Sequence, residues 1–402
     1  MRKFASQVVI PRASRASSAL MLLMLLLWTQ FLCSCSLMKP APDDTKGVQQ
    51  WLVIPVFFAT NRTYTGKNGG VEYSEEQNDT GLLFGVKNVL VPYPVRTPLD
   101  ATIEERMQWH RFKIDSDAKK LSRSVPPALC SIKNATLTRE EVVAAFDSYR
   151  DKSQSKETVI FLHGCCATFD TSLARAARIA SHMQMPVLLY DWVSPKGFTR
   201  YLENETLAEQ TVDDFLYFLR RVQKKLGAKQ MTLLAHSMGA LILDRALVRR
   251  GADFDAKVSD NEPLDARGAN PQFKELIMSN ADVDGKTFLN HAGNFASNGS
   301  VTRVYYSRTD DRLKASAFSH GGFRRLGSPG KLTASLARTP GLEMIDITDA
   351  KTNHELPYWI VSNMHKYGNL GPVKDFQLQK LDTGVFELTR TASPLAEPSG
   401  LE

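Results

Sequence analysis

A serine that directly follows an apolar strand is the strongest chemical signal in this sequence. The apolar run from Met231 leads into Ala235-His-Ser237-Met-Gly239, and a helical apolar pattern begins at once. Small residues two before and two after a serine permit a sharp strand-to-helix turn that projects its hydroxyl from the sheet. The pattern predicts Ser237 as a nucleophile, and the alternative is a serine that only caps the helix.

A second strand ends in a turn that would lie beside this serine. Thr158–Leu162 is an apolar run and is followed by His163 and Gly164. Backbone N–H groups in such a turn stabilise the oxyanion that forms when a serine attacks a carbonyl carbon. The predicted donors are the N–H groups of Met238 and Cys165, with Cys166 as the alternative to Cys165. We expect His163 to hold the loop in place.

These residues need a scaffold of strands and helices. Helical patterns alternate with strands from residue 158 onward, and they include one through Ala208–Leu226 and one that Asp170 would cap. The capping box Thr138-x-x-Glu141 opens a further helix before that region. This alternation predicts an α/β fold with a mostly parallel central sheet and helices on both faces. Pro55 assigns the first strand to an edge of the sheet. The predicted strands are Leu52–Phe58, Leu83–Val91, Thr158–Leu162, Pro186–Tyr190, Met231–Leu234, Glu275–Ser279, Val301–Tyr306 and Glu343–Ile347.

Several of these motifs together resemble a known family. The turn HGCCATFD, the strand PVLLYDWV and the elbow AHSMG are similar to those of bacterial uncharacterised α/β hydrolases that carry an HGYN-like turn and an AHSMG elbow. The resemblance extends from about residue 53 to 377. It implies an α/β-hydrolase fold with a serine, an acid and a histidine in that chain order. Cys165-Cys166 replaces the usual Tyr-Asn of the turn.

The resemblance also selects candidates for the acid and the base. The acid is expected at the end of the strand Val301–Tyr306, where Asp311 matches the family's pattern and Asp310 is the close rival. Asp282 and Asp284, which follow the earlier strand Glu275–Ser279, are the third choice. The base is expected after Glu343–Ile347. His365 matches the family's H-x-Y segment, His354 is the rival, and His320 is a distant third because it precedes that strand.

The first residues have the features of a bacterial lipoprotein signal. A basic start and a short apolar core precede Leu32-Cys33-Ser34-Cys35, which resembles a lipobox with Cys35 as the lipidated residue. Cys33 is the rival, but it would place Gln30 three positions before the cleavage site. We expect the protein to be attached to the cell envelope by this lipid. The expected location is the outer membrane, on the side that faces the periplasm. The expected organisation is a signal peptide at 1–34, a lipid-anchored tether at 35–50, a hydrolase domain at 51–390 and a flexible tail at 391–402.

Composition narrows the remaining function classes. With 43% hydrophobic and 23% charged residues, the 402-residue chain is not of a disordered or fibrous type. The formal charge of +7 falls to +3 without residues 1–34, which gives no support for nucleic acid as a partner. No P-loop, GxGxxG, HExxH or CxxC pattern is found, so no cofactor and no metal are expected.

The expected function is a serine hydrolase acting on a small-molecule or lipid ester or thioester, held at the membrane by its N-terminal lipid. The alternative is a lipid-anchored binding or scaffold protein with a weak or inactive hydrolase fold. Among the cysteines, Cys130 is a candidate partner for Cys165 or Cys166, because neighbouring cysteines rarely bridge each other.

Overall fold

The computed structural model describes nine ranges of the chain. They are residues 50–65, 73–79, 81–93, 139–153, 155–227, 230–252, 273–298, 301–367 and 376–390. The predicted signal peptide with Cys33 and Cys35, nearly all of the predicted tether, Cys130, Thr138 and the predicted tail lie outside these residues. Within them, no helix is both long and apolar enough to cross a membrane.

The apolar runs form strands, and amphipathic segments form most of the helices between them. The strands are β1 Gln50–Thr60, β2 Arg62–Tyr64, β3 Tyr73–Gln77, β4 Leu83–Tyr93, β5 Thr158–Leu162, β6 Val187–Asp191, β7 Met231–His236, β8 Glu275–Ser279, β9 Thr302–Tyr306, β10 Leu342–Asp346, β11 Phe376–Asp382 and β12 Val385–Arg390. The α-helices are α1 Arg139–Lys152, α2 Phe169–Met183, α3 Tyr201–Gln210, α4 Val212–Leu226, α5 Gly239–Ala252, α6 Gly285–Asn298, α7 Asp311–Ser319, α8 Thr333–Ala337 and α9 Tyr358–Tyr367. Each of the eight predicted strands overlaps one of these strands.

Ten of the strands build one mixed sheet in the order β11-β12-β10-β9-β8-β7-β5-β6-β1-β4. The pairs from β1 through β6, β5, β7, β8, β9 and β10 to β12 are parallel, and the edge strands β4 and β11 are antiparallel to their neighbours. Alternate residues of β5 enter two different apolar clusters. Leu162 packs with α4 and α5, while Phe161 packs with α2 and α9. The sheet is therefore covered on both faces, and the predicted α/β class is confirmed.

Three local predictions are corrected by the structure. β1 is an internal strand, but its pairing with β6 starts only at Phe57, so Pro55 stands where the strand has a single neighbour and needs no N–H on its open side. Thr168, and not Asp170, caps α2 by accepting a hydrogen bond from the Thr171 N–H. The helix predicted through Ala208–Leu226 is divided at Thr211 into α3 and α4.

The parallel arrangement decides where chemistry can occur. β5 to β10 all run in the same direction, so their carboxyl ends meet at one edge of the sheet. The residues that follow these ends are brought together although they are far apart in the chain, as in other open α/β sheets.

The turn after β7 depends on a residue without a side chain at Gly239. A Cβ at this position would lie 2.6 Å from the carbonyl oxygens of both Leu162 and His163. We expect Gly239→Ala to lower the free energy of unfolding by about 1–3 kcal/mol. The atoms that the new Cβ would meet belong to the backbone at the end of β5, and the sheet pairing of β5 resists their displacement.

Urea unfolding measures this loss, and Gly293→Ala in α6 is the matched control. A Cβ at Gly293 would meet nothing within 4 Å. There the higher helix propensity of alanine is expected to raise stability by up to about 1 kcal/mol. Equal effects of the two substitutions would contradict the assigned close approach.

Candidate active site

Ser237 stands at the carboxyl end of β7 in a strained backbone conformation. Its φ is +52°, in the left-handed region that residues with a side chain seldom adopt. Two backbone hydrogen bonds hold it there: its N–H donates to the Ser279 carbonyl at 3.0 Å, and its own carbonyl accepts from the Asp282 N–H at 3.1 Å. This geometry is that of the sharp strand-to-helix turn that the sequence predicts for a serine nucleophile.

A continuous chain of hydrogen bonds runs from this serine to a carboxylate. His354 Nε2 lies 2.8 Å from Ser237 Oγ, and His354 Nδ1 lies 2.8 Å from Asp310 Oδ2. All three side chains are buried. A neutral imidazole that donates its Nδ1–H to the carboxylate leaves its Nε2 lone pair to accept the serine proton. The arrangement is that of a Ser-His-Asp triad.

Asp310 is held in place by hydrogen bonds to both of its carboxylate oxygens. It is the N-cap of α7, where Oδ1 accepts from the Leu313 N–H at 3.1 Å, and Oδ2 also accepts from Asn280 Nδ2 at 3.0 Å. Burial by itself raises the pKa of this carboxyl, but the hydrogen bonds from His354, Asn280 and the Leu313 N–H outweigh it, and the pKa is lowered. The carboxylate is thus ionised and fixed in orientation.

Asn280 is a supporting residue that the sequence reasoning assigned no role. It adopts a φ of +48° directly after β8, and its Nδ2 donates to Asp310 Oδ2 and to the Asn353 carbonyl, both at 3.0 Å. It therefore joins the acid to the loop that carries His354. An asparagine directly after a predicted strand was the available signal, because asparagine tolerates left-handed backbone better than most residues.

The prediction of Asp311 as the acid is corrected in favour of its neighbour. Asp311 is the first residue of α7 and its largely exposed side chain pairs with Lys314 at 2.9 Å. The preceding N-cap position has extended backbone, and this directs Asp310 back into the fold. A one-residue slip in matching the sequence to the family's pattern accounts for the difference.

The prediction of His365 as the base is corrected as well. His365 lies in α9, where Nδ1 is 2.6 Å from Glu275 Oε2 and Nε2 is 3.2 Å from Glu157 Oε2. Glu275 is the first residue of β8, so this contact is at the amino-end edge, about 13 Å along the strand from Ser279. His354 instead occupies the loop after β10. In the sequence, apolar residues recur every three positions at Tyr358, Val361 and Met364, and this spacing indicates a helix that contains His365.

The third acid candidate, Asp282, has another set of partners. Its carboxylate accepts hydrogen bonds from Tyr201 Oη at 2.7 Å, Ser316 Oγ at 2.6 Å and Arg325 Nε at 2.6 Å. Asp282 thus joins α3, α7 and the loop at Arg325. His320, the third candidate for the base, pairs instead with Glu205. The structural contribution of Asp282 is to pin the turn at Ser237 through its backbone N–H.

The predicted oxyanion turn lies against the nucleophile. A Cβ on Gly164 would be 2.8 Å from Ser237 Cβ and 3.1 Å from His236 Nδ1, so this turn and the elbow are in direct contact. In the part of the chain that the structure describes, no backbone carbonyl accepts a hydrogen bond from the N–H of Met238 or Cys165. The role of these two predicted donors in catalysis stays a prediction.

A buried ion pair braces the same turn. Arg62 Nε lies 2.7 Å from Asp191 Oδ2, and Arg62 Nη2 donates to the carbonyls of Ala167 and Trp192. His163 Nδ1 donates to the Gly164 carbonyl at 2.7 Å, which agrees with the expectation that His163 holds the loop. Burial by itself would raise the pKa of the Asp191 carboxyl. The charge of Arg62 and the hydrogen bonds to Asp191 outweigh burial and keep this pKa far below its ordinary value.

One comparison with known proteins identifies the family. A family model described as "Alpha/beta hydrolase of unknown function (DUF900)" matches residues 139–363, more than half of the chain. The chain belongs to this alpha/beta-hydrolase family. The matched range contains Ser237, Asp310 and His354 of the hydrolase. No curated protein matches the sequence.

His236 makes the stability of this alpha/beta hydrolase depend on pH. Its Nε2–H donates to the His354 carbonyl at 2.8 Å, and burial, with the nearby His354 and Arg175, lowers its pKa to about 3. The unfolded chain binds this proton below pH ~6.5 and the folded chain only near pH 3. Stability contributed by the neutral ring is therefore complete above pH ~6.5 and declines as the pH falls.

We expect His236→Gln to flatten the acid side of the stability profile. Between pH 6 and 4 the free energy of unfolding of the wild type should fall more steeply, by up to about 1.4 kcal/mol per pH unit. Urea unfolding at several pH values measures both profiles, and groups common to the two proteins cancel in the difference. Parallel profiles would contradict the assignment of a buried neutral ring at position 236.

Proposed function

We propose that this alpha/beta hydrolase is a serine hydrolase that cleaves a carboxylic ester or thioester through an acyl-enzyme. The observation that carries the proposal is the hydrogen-bonded chain Ser237–His354–Asp310, with 2.8 Å at each link. Its strained serine and its buried acid are features that a purely structural cluster has no need to combine.

The first half of the reaction uses the triad to activate the serine. His354 Nε2 takes the hydroxyl proton of Ser237 while Oγ attacks the carbonyl carbon of the substrate. Asp310 keeps the proton on Nδ1 and stabilises the imidazolium that forms. The N–H groups of Met238 and Cys165 would bind the oxyanion, and a donor of this kind is worth about 10²–10³ in rate.

The second half returns the enzyme to its starting state. His354 gives its Nε2 proton to the leaving alcohol or thiol, and the acyl group remains on Ser237. His354 then takes a proton from water as that water attacks the acyl carbon. Collapse of the second tetrahedral intermediate releases the carboxylic acid and returns the proton to Ser237 Oγ.

Labelling by a fluorophosphonate probe tests the activated serine without knowledge of the substrate. The full-length wild type is expected to be labelled. Ser237→Ala removes the labelled atom, and His354→Ala removes the base, so labelling should vanish in the first and fall by about 10³-fold or more in the second. Asp310→Asn should lower the labelling rate by about 10³–10⁴-fold, because the imidazole is left in the wrong tautomer.

Two matched substitutions separate triad members from their neighbours. Asp311→Asn and His365→Gln change the same residue types outside the triad and should leave the labelling rate near that of the wild type. Thermal unfolding verifies that every variant is folded. Absence of labelling in folded wild type would overturn the hydrolase proposal and favour a binding or scaffold protein with this fold. Hydrolysis of p-nitrophenyl and thioester substrates by wild type, against Ser237→Ala, then defines the ester class.

We further propose that the enzyme acts from the cell envelope, attached through a lipid on Cys35, on a small-molecule or lipid ester. The support is the basic start, the short apolar core and the segment Leu32-Cys33-Ser34-Cys35. Two or three acyl chains on one cysteine provide stable attachment, whereas one chain binds a membrane only marginally.

Cys35→Ala tests this attachment, with Cys33→Ala as the matched control two residues away. In bacterial cells that process lipoproteins, Cys35→Ala should abolish incorporation of labelled palmitate and release the protein from the membrane fraction. Cys33→Ala should retain both properties. Equal incorporation by the two variants would rule out Cys35 as the lipidated residue.

A further inference from the structure

Two adjacent thiols lie at the edge of the candidate active site. Cys165 and Cys166 are both free, both half-buried, and their Sγ atoms are only 3.2 Å apart in an S–H···S contact. They directly follow Gly164, at which an added Cβ would lie 2.8 Å from Ser237 Cβ. Cys166 has a φ of +61°, a left-handed conformation that is unusual for cysteine. The structure therefore brings both sulfur atoms together on a strained turn.

The surroundings make the two thiols chemically different. The hydrogen bond between the two thiols, and after it the positive charges of Arg312 and Arg175, lower the pKa of Cys166. The hydrogen bond to Cys166 and burial raise the pKa of Cys165. Cys166 is therefore the thiol that ionises first, and Cys165 can donate to its thiolate. A reactive thiolate beside a second thiol is the arrangement of a redox-sensitive pair.

A bond between them would be strained and easily reduced. Consecutive Cα atoms are about 3.8 Å apart, less than the 4.4–6.8 Å usual for disulfides. Forming the bond would draw the sulfur atoms together by about 1.2 Å from their separation of 3.2 Å. Since the peptide sets the Cα separation, the change must be absorbed by the dihedral angles of the turn. Strained disulfides have more oxidising potentials and are the regulatory type.

We propose that Cys165 and Cys166 form a reversible disulfide that switches off the neighbouring Ser237 by displacing the Cys165 N–H from the oxyanion site. The switching part rests on the proposed serine-hydrolase function, and the bond formation does not. This is a modification site for small disulfide oxidants, placed in the turn that completes the active site.

The reaction is a two-step thiol–disulfide exchange. The Cys166 thiolate attacks one sulfur of a small disulfide RSSR, which releases RS⁻ and leaves a mixed disulfide on Cys166. Cys165 loses its proton and attacks Cys166 Sγ, and this expels the second RS⁻. The pair gives up two electrons and two protons in total, and the oxidant becomes two RSH molecules.

Peptide mapping of the full chain tests the bond directly. Trypsin cleavage after Lys156 and Arg175 gives the peptide Glu157–Arg175, which contains Cys165 and Cys166 and no other cysteine. After equilibration with oxidised glutathione, this peptide should resist alkylation and lack two hydrogen atoms. Reduction should restore both thiols. A peptide that stays in the dithiol form, or that becomes linked only to the peptide carrying Cys130, would overturn the proposal.

Fluorophosphonate labelling of the same samples tests the switch. Oxidation should lower the labelling rate of the wild type on the order of 10²-fold, the cost of one oxyanion donor, and reduction should restore it. In Cys166→Ser the oxidised and reduced samples should be labelled at equal rates. A disulfide that forms without slowing the labelling would refute the switch. Absence of labelling in the reduced protein would instead refute the hydrolase function, while the peptide map would still decide whether the bond forms.

Discussion

The left-handed backbone at Ser237 is the constraint on which the rest of the site depends. A residue with a side chain at a φ of +52° carries strain of about 1–3 kcal/mol, which persists only where the surroundings enforce it. The hydrogen bonds to Ser279, the last residue of β8, and from Asp282 in the loop after it provide that enforcement. Gly239 and Gly164 allow β5 to approach the turn from the other side. The serine is thus held between two strands by contacts that do not involve His354.

The two edges of the sheet give the same residue types different roles. At the carboxyl-end edge, His354 and Asp310 are linked to Ser237. At the amino-end edge, His365 lies between Glu275 and Glu157, and Glu275 also pairs with Arg303. Both clusters place a histidine beside carboxylates. Only the first meets the strained turn, so the sheet direction separates the candidate site from an ion cluster that joins the starts of the strands.

Buried polar groups around the site fix the orientation of neighbouring side chains in addition to stabilising the fold. Asp310 receives hydrogen bonds from a histidine, an asparagine and a backbone N–H, so its carboxylate has one orientation. Arg62, paired with Asp191, donates to the Ala167 carbonyl after the turn at Gly164 and to the Trp192 carbonyl after β6. Replacing one partner of such a pair leaves an uncompensated buried charge, which costs several kcal/mol. The same bracing that fixes the turn would resist the change required by a bond between Cys165 and Cys166.

The sequence by itself determined the α/β class, the eight strands that carry apolar runs, and Ser237 at its turn, because these depend on local periodicity and on residue size. It limited the candidate acid to a few aspartates and the candidate base to two main histidines, but within each set it favoured a residue that the structure does not link to Ser237. Asp310 and Asp311 differ by one position at a helix start, which only the observed cap geometry resolves. His354 and His365 are separated by a loop and a helix, and only the folded sheet shows which one faces Ser237. Contacts across more than forty residues depend on strand order and loop path, and no local pattern contains that information.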